Sequence, residues 1–246
     1  MKLWFGAAPC RSGVQSGGNG PAMRAAVFGA AIDDQEQMIR LLRAATRITH
    51  MDSQAEAGAI AVALAARLSA TQISVSPSNF LTQLEGILNS ESHELVQLLS
   101  EVRESVDAGE TTPDFCQRRQ LTTGYTYHSV PLAIHAWFRY PTDFRAAVTT
   151  VIECGGDADT NAAIIGGIVG ARVGEEGILS EWLTNLKDWP RSVGWQRRLA
   201  RQLNDCMQHR KTARPLRVNF AAVLLRNLFF LVVVLVHGFR RLFPPY

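Results

Sequence analysis

The sequence predicts an all-α protein, and three observations predict it. Apolar residues recur at helical spacing along most of the 246 residues. Segment starts carry helix start signals, with Asp, Ser or Thr at cap positions and Pro in first turns. The longest strand-like run is only Gln72 to Val75, and no repeat of fixed period is present. Hydrophobic residues make up 47% of the chain against 10 prolines, so a packed core is expected rather than a disordered chain. The expected organisation is one helical domain over residues 1–212, followed by a basic linker and hydrophobic tail over residues 213–246.

The elements follow in order. Gly18-Asn19-Gly20 reads as a turn ahead of a helix starting near Ala22. Gln35 to Thr49 places Met38, Leu41, Leu42 and Ala45 on one face, with Arg40, Arg43 and Arg47 largely elsewhere. Asp52 or Ser53 caps an Ala-rich helix to about Leu68, whose small side chains let neighbouring helices approach closely. Ser76 or Ser78 opens a helix through Leu88. Ser90 to Val106 follows, with Leu95, Leu98, Leu99 and Val102 in step. Thr111-Thr112-Pro113 starts a short helix. Pro131 to Tyr140, Thr142 to Glu153 and Asn161 to Val173 complete the domain, with Pro131 and the Pro141-Thr142-Asp143 break marking starts.

Composition separates the tail from the rest. Residues 195–246 hold ten Arg/Lys and a single Asp, so the net charge of +3 hides an acidic domain and a basic tail. Ala221 to Phe239 approaches the ~20 apolar residues that span a bilayer, but Arg226 and Asn227 interrupt it. Leu228 to Val236 is the uninterrupted run, and Arg214, Arg217, Arg240 and Arg241 flank the segment. Membrane contact through residues 221–239 is expected; a buried C-terminal helix is the alternative. The greater basic content on the N-terminal side would keep the domain cytoplasmic. No signal peptide is read, since Lys2 is followed by a few apolar residues and then Arg11. No clear nucleic-acid motif is present. Cys10, Cys116, Cys154 and Cys206 form no CxxC pair and read as free thiols of a reducing compartment.

The chemistry concentrates in Gly155-Gly156-Asp157-Ala158-Asp159-Thr160-Asn161. Two carboxylates and a hydroxyl fall within four residues. Such oxygen donors suit Mg²⁺, Mn²⁺ or Ca²⁺, whereas Zn²⁺ favours His and Cys. Residues at i and i+2 do not share a helix face, so Asp157 and Asp159 converge only at a loop or a helix N-terminus. The competing reading is an ordinary Asp N-cap with acid in the first turn. An EF-hand is excluded: counting from Asp157, its sixth position is Ala162 and its twelfth Ile168. A P-loop is excluded because Gly17-Gly18-Asn19-Gly20 runs on into Pro21-Ala22-Met23-Arg24.

That segment, followed by Gly166-Gly167 and Gly170-Ala171, resembles the C-terminal metal motif of the ADP-ribosylglycohydrolase family (the dinitrogenase reductase-activating glycohydrolase type). Three more stretches agree in order. Gly18-Asn19-Gly20-Pro21-Ala22-Met23-Arg24 resembles the family's Gly-Asn-Gly-x-x-Met-Arg. Thr49-His50-Met51-Asp52 resembles its Thr-His-x-Asp. Gly124-Tyr125 with Ser129-Val130-Pro131 resembles the segment before the metal motif. The likeness covers roughly residues 3–210.

The resemblance implies a compact orthogonal multi-helix domain that removes ADP-ribose from a modified protein or small molecule. It implies Mg²⁺ or Mn²⁺ on Asp157, Asp159 and Thr160, in a site that is binuclear in the family. It implies Gly18, Asn19, Gly20, His50 and Tyr125 at the ADP-ribose, with Asp52 supporting His50. The family's remaining ligands come from a Thr-Asp-Asp motif and a Glu upstream of Gly-Asn-Gly. The residues before Gly18 contain no acid, so half of that metal site and the Glu have no counterpart here. No catalytic acid or base is assigned. The expectation for this chain is weak metal binding and little turnover. The alternative function is an impaired ADP-ribose-binding or membrane-tethered pseudoenzyme.

Overall fold

A computed structural model describes residues 12–89, 92–209 and 211–242. The chain divides into two compact units, Met1–Leu179 and Ser180–Tyr246. Among the described residues every regular element is helical, and β-pairing is limited to two isolated bridges. This agrees with the all-α expectation.

Among its described residues the first unit holds nine α-helices: α1 Ala26–Ala31, α2 Gln35–Arg47, α3 Ser53–Thr71, α4 Pro77–Glu85, α5 His93–Asp107, α6 Thr112–Arg119, α7 Thr126–Arg139, α8 Phe144–Glu153 and α9 Ala158–Val173. A 3-10 turn, Ala22–Arg24, precedes α1. Helix α3 is the axis of the core. Thirteen of its residues are buried, from Ala55 to Ser69, which is why it is apolar all round rather than striped. It packs against α1, α7 and α9. Its small side chains allow the close approach expected of them: Gly29 of α1 lies against the Ala63 backbone, where a Cβ would not fit. Helix α2 is striped instead, burying Met38, Leu42 and Thr46 at four-residue spacing. Leu41, expected inward, is 43% exposed.

Caps fix the helix starts where their side chains allow. Asp34, Asp52, Ser76, Thr111 and Asp143 each accept a backbone N–H from the first turn. Each is worth about 1 kcal/mol. Helix α7 departs from expectation, because it begins at Thr126 and carries Pro131 inside. An interior Pro lacks its N–H donor and costs about 3 kcal/mol. Burial of Val130, Leu132, Ile134 and Trp137 offsets this, at about 1.5–3 kcal/mol for each large side chain. Helix α9 likewise starts before the expected Asn161, at Ala158. Ser90 and Cys10 lie outside the described residues.

The second unit contains α10 Ser180–Asn185, α11 Val193–His209 and α12 Phe220–Arg240. The sequence reading named neither α10 nor α11. Lys211 to Arg217, expected as a linker, lies between α11 and α12. Helix α12 is long and apolar enough to cross a membrane by length and composition. Its large apolar residues, including Phe229, Phe230 and Leu235, are exposed. The expectation that Cys116, Cys154 and Cys206 are free thiols holds.

Candidate functional site

The site is assembled where residues 14–20 run between the start of α3 and the start of α7. Val14 pairs with His50, through Val14 N–H to Thr49 C=O and Met51 N–H to Val14 C=O, both 2.9 Å. Gly18 pairs with Tyr125, through Asn19 N–H to Gly124 C=O at 3.0 Å and Thr126 N–H to Gly17 C=O at 2.8 Å. Two short backbone pairings thereby bring three separate sequence motifs together.

The fourth motif is joined through one side chain. Asn19, 8% exposed, donates from Nδ2 to Ser129 Oγ at 2.8 Å and to Asp157 Oδ2 at 2.6 Å. Asp157 reaches this position because Gly155 and Gly156 adopt φ of +73° and +66°. The second of these also leaves no room for a Cβ beside Thr122 C=O, so a larger residue is doubly disfavoured at Gly156. Gly124 lies beside the same carboxylate: a Cβ there would stand 2.9 Å from Asp157 Oδ2.

Asp157 occupies the N-cap position of α9 but makes no side-chain cap bond. Asp34, Asp52 and Asp143, at the equivalent place on α2, α3 and α8, all do. The ordinary-cap alternative therefore fails for Asp157, whose carboxylate is turned toward Asn19 instead. Its acidity reflects this setting. The Asn19 hydrogen bond holds the Asp157 carboxyl below the usual range, burial opposes it, and hydrogen bonds with Thr160 and Asp159 reinforce it. Asp159 is exposed, and its Oδ1 accepts from Thr160 N–H at 2.9 Å.

Asp157, Asp159 and Thr160 thus lie together on the first turn of α9. Two carboxylates and a hydroxyl are a hard-cation donor set, and these residues fit Mg²⁺ or Mn²⁺. Among the described residues no group of three or more His, Cys, Asp or Glu side chains adds to it. Water and ligand oxygens would complete the shell of an ion held there.

His50 stands over the glycine turn. A Cβ at Gly18 would lie 3.2 Å from His50 Nε2, and one at Gly20 would lie 3.1 Å from Cε1. His50 Nδ1 is 2.9 Å from Thr49 Oγ1. Arg24 Nη2 donates to that same hydroxyl and to Ala45 C=O. Arg24 is thereby a brace behind His50. Burial lowers the His50 pKa, the Arg24 charge lowers it further, and Asp52 works against both. Asp52 caps α3 through Gln54 N–H.

Tyr125 is half-buried, with its ring 5.5 Å from Tyr127 and 5.4 Å from His128, and Gly17 lies against its edge. Burial raises the Tyr125 pKa, and Glu94 and Asp52 add to this. His128, without a role in the sequence reading, bonds Thr123 Oγ1 at 2.9 Å.

The structure brings Gly18, Asn19, Gly20, His50, Tyr125 and Asp157 into one region. Asp159 and Thr160 follow on the same turn as Asp157. Sequence reasoning missed three participants. Ser129 was noted only as part of a motif, although its hydroxyl is what Asn19 holds. Gly124 was noted likewise. Asn161 is fully buried, with neither amide atom hydrogen-bonded. No sequence signal separates it from an ordinary first-turn Asn.

Comparison with known proteins gives a consistent result. A family model described as ADP-ribosylglycohydrolase matches residues 1–213. ADP-ribosylhydrolase ARH3 of Mus musculus is 29% identical over 202 residues, covering 70% of this chain and 53% of that protein. The Homo sapiens ARH3 is 29% identical over 197 residues, covering 70% and 54%. An uncharacterized protein of Archaeoglobus fulgidus is 28% identical over 179 residues, covering 72% and 56%. The chain spans about half the length of these relatives. A solved structure described as an ADP-ribosylglycohydrolase-related protein complex superposes with a TM-score of 0.56 at 23% identity, covering 84% of this chain and 69% of that one. That likeness speaks to the fold.

Proposed function

This chain belongs to the ADP-ribosylglycohydrolase family, and we propose that its site binds ADP-ribose and hydrolyses the glycosidic bond at C1 of the distal ribose. The modified protein or small molecule is released free of ADP-ribose. The observation that carries this reading is the Asn19 amide, which ties the glycine turn to Ser129 and to Asp157 across 138 residues of sequence.

Each residue has a role in this reading. The Gly18-Asn19-Gly20 turn offers a backbone surface, without Cβ atoms at its glycines, against which ribose or phosphate oxygens lie. His50, whose pKa burial and the Arg24 charge lower, orients the ligand by hydrogen bonding. Tyr125 presents a half-buried ring for adenine. Asn19 holds the Asp157 carboxylate in place. A glycosidic bond of this kind breaks through an oxocarbenium-like centre. Mg²⁺ or Mn²⁺ held by Asp157, Asp159 and Thr160 would supply positive charge to the ribose diol and to the attacking water.

A second reading, binding with little turnover, has its own support. The donor set of the described residues is two carboxylates and one hydroxyl, fewer oxygens than a two-ion centre takes. Calorimetry of the 246-residue chain with ADP-ribose, with and without Mn²⁺, paired with release of ADP-ribose from a modified peptide, separates the two. Release supports the hydrolase. Mn²⁺-dependent binding without release supports the binding protein. Neither binding nor release removes both.

The same reading includes attachment to a membrane through residues 221–239, with the helical domain on the cytoplasmic face. The length and apolar character of α12 support it.

A further inference from the structure

Helix α12 is not uniform along its length. Ala222 is buried and Val223 and Arg226 are half-buried, whereas every described residue from Asn227 to Leu242 is exposed. Contact is confined to one side of the first two turns, at Ala222, Val223 and Arg226, while Phe220, Leu224 and Leu225 are exposed like the rest. At the boundary Arg226 Nη2 stands 2.8 Å from Asp188 Oδ1, and Asp188 also faces Arg191 at 3.8 Å. Asp188 lies between Lys187 and the Trp189-Pro190 turn, a polar stretch outside any helix.

The free part, Asn227 to Arg240, is 14 residues, or about 21 Å of helix. The hydrocarbon core of a bilayer is about 30 Å thick. Cations mark both ends, Arg226 at one and Arg240 and Arg241 at the other. Upright insertion of this length would leave Arg240 and Arg241 inside hydrocarbon, short of the far headgroups. Lying along one leaflet puts all three arginines at the headgroups of that leaflet. The apolar circumference, Leu228 to Val236, then sinks below them while the arginine stems reach upward.

We propose that α12 is a one-leaflet anchor for a bilayer with anionic headgroups, held at that depth by the Asp188–Arg226 ion pair. The proposal rests on the membrane-attachment reading above and deepens it. Arg240 and Arg241 then stay on the same side of the membrane as Arg226. Arg214 and Arg217, both exposed, add to the attraction for anionic lipid. Spanning would require Arg226 to leave Asp188 and the first two turns to come free.

The test uses the full chain with preformed vesicles of phosphatidylcholine, alone or mixed with phosphatidylglycerol. Flotation measures binding, and trypsin added outside reports whether the peptide after Arg241, Leu242 to Tyr246, is released. Expected are flotation at roughly tenfold less lipid, or lower still, with the anionic vesicles, and release of the peptide without detergent. The variant Arg226→Leu, whose residues 220–239 carry no Arg or Lys, is expected to float and to lose release until detergent is added. Protection of wild-type Arg241 that detergent relieves overturns the one-leaflet anchor and leaves membrane attachment standing. Failure to float with either vesicle overturns both. Unchanged release in Arg226→Leu overturns the depth-setting role of the ion pair.

Discussion

Around His135 the polar groups close on one another. Its Nε2 and Nδ1 bond Ser105 Oγ and Thr112 Oγ1, each at 3.0 Å, and Phe115 stacks on the ring at 4.7 Å. Ser105 also bonds Glu110, whose carboxylate takes Arg118 at 2.8 and 2.7 Å. Around Asp157 the groups are only partly engaged. Its carboxylate meets Asn19 and its neighbours Thr160 and Asp159, Asp159 still faces solvent, and Asn161 is buried without a partner. The two clusters use the same vocabulary of hydroxyl, carboxylate and amide or imidazole. The first has its hydrogen-bonding capacity consumed internally, so it specifies packing. The second has capacity left over, which is what a ligand needs.

The strongest way to break this contrast is to remove the open cluster. Asp157→Ala with Asp159→Ala should weaken Mn²⁺ binding, and any turnover, by about 100-fold or more, with little change in thermal midpoint. Calorimetry and a melting curve check both halves. A large loss of stability with unchanged Mn²⁺ affinity would place Asp157 among the structural caps after all.

Acid should strike the closed cluster instead. Burial pushes the His135 pKa down to about 4, with Glu110 opposing. The unfolded chain binds this proton below about 6.5, so stability falls as pH drops from 6.5 toward 4, by up to ~3 kcal/mol. Glu110, held at about 2 chiefly by Arg118, adds a further loss as pH falls from 4.5 toward 2. Denaturant melts across that range should show the decline. In His135→Leu the part between pH 6.5 and 4 should flatten.

A smaller effect sharpens the boundary between the clusters. Asn19→Ala leaves Asp157 and Ser129 without their common donor. Mn²⁺ affinity should fall roughly 10- to 100-fold, while the pH-stability curve keeps its shape. The smallest effect comes from an Asp that only caps. Asp143→Ala should cost about 1 kcal/mol, read in a denaturant melt, and leave Mn²⁺ and ADP-ribose binding unchanged.

Legibility in the sequence followed the range of the interaction. The cap at Asp52 and the helix starts near Thr111 and Asp143 were readable because a cap bond closes within three residues. The start of α7 was not, because the burial that outweighs Pro131 comes from distant helices. Candidate ligands were readable as residue types, yet Asp143 and Asp157 both precede helices and both look like caps. The His135 cluster left no trace: Ser105, Thr112 and His135 sit 7, 23 and 30 residues apart, on three different helices. Helices α10 and α11 were not named from the sequence, and neither contains a fully buried residue.

By itself the sequence determined the helical class, the site residue types and their family resemblance, and the apolar tail, since periodicity and composition are local properties. Tertiary structure alone decided which Asp caps and which turns toward Asn19. It decided that Arg24 braces His50, and that Arg226 meets Asp188. The physical reason is that a side chain's role depends on which donors and charges lie within about 3 Å of it, and chain neighbours do not specify those.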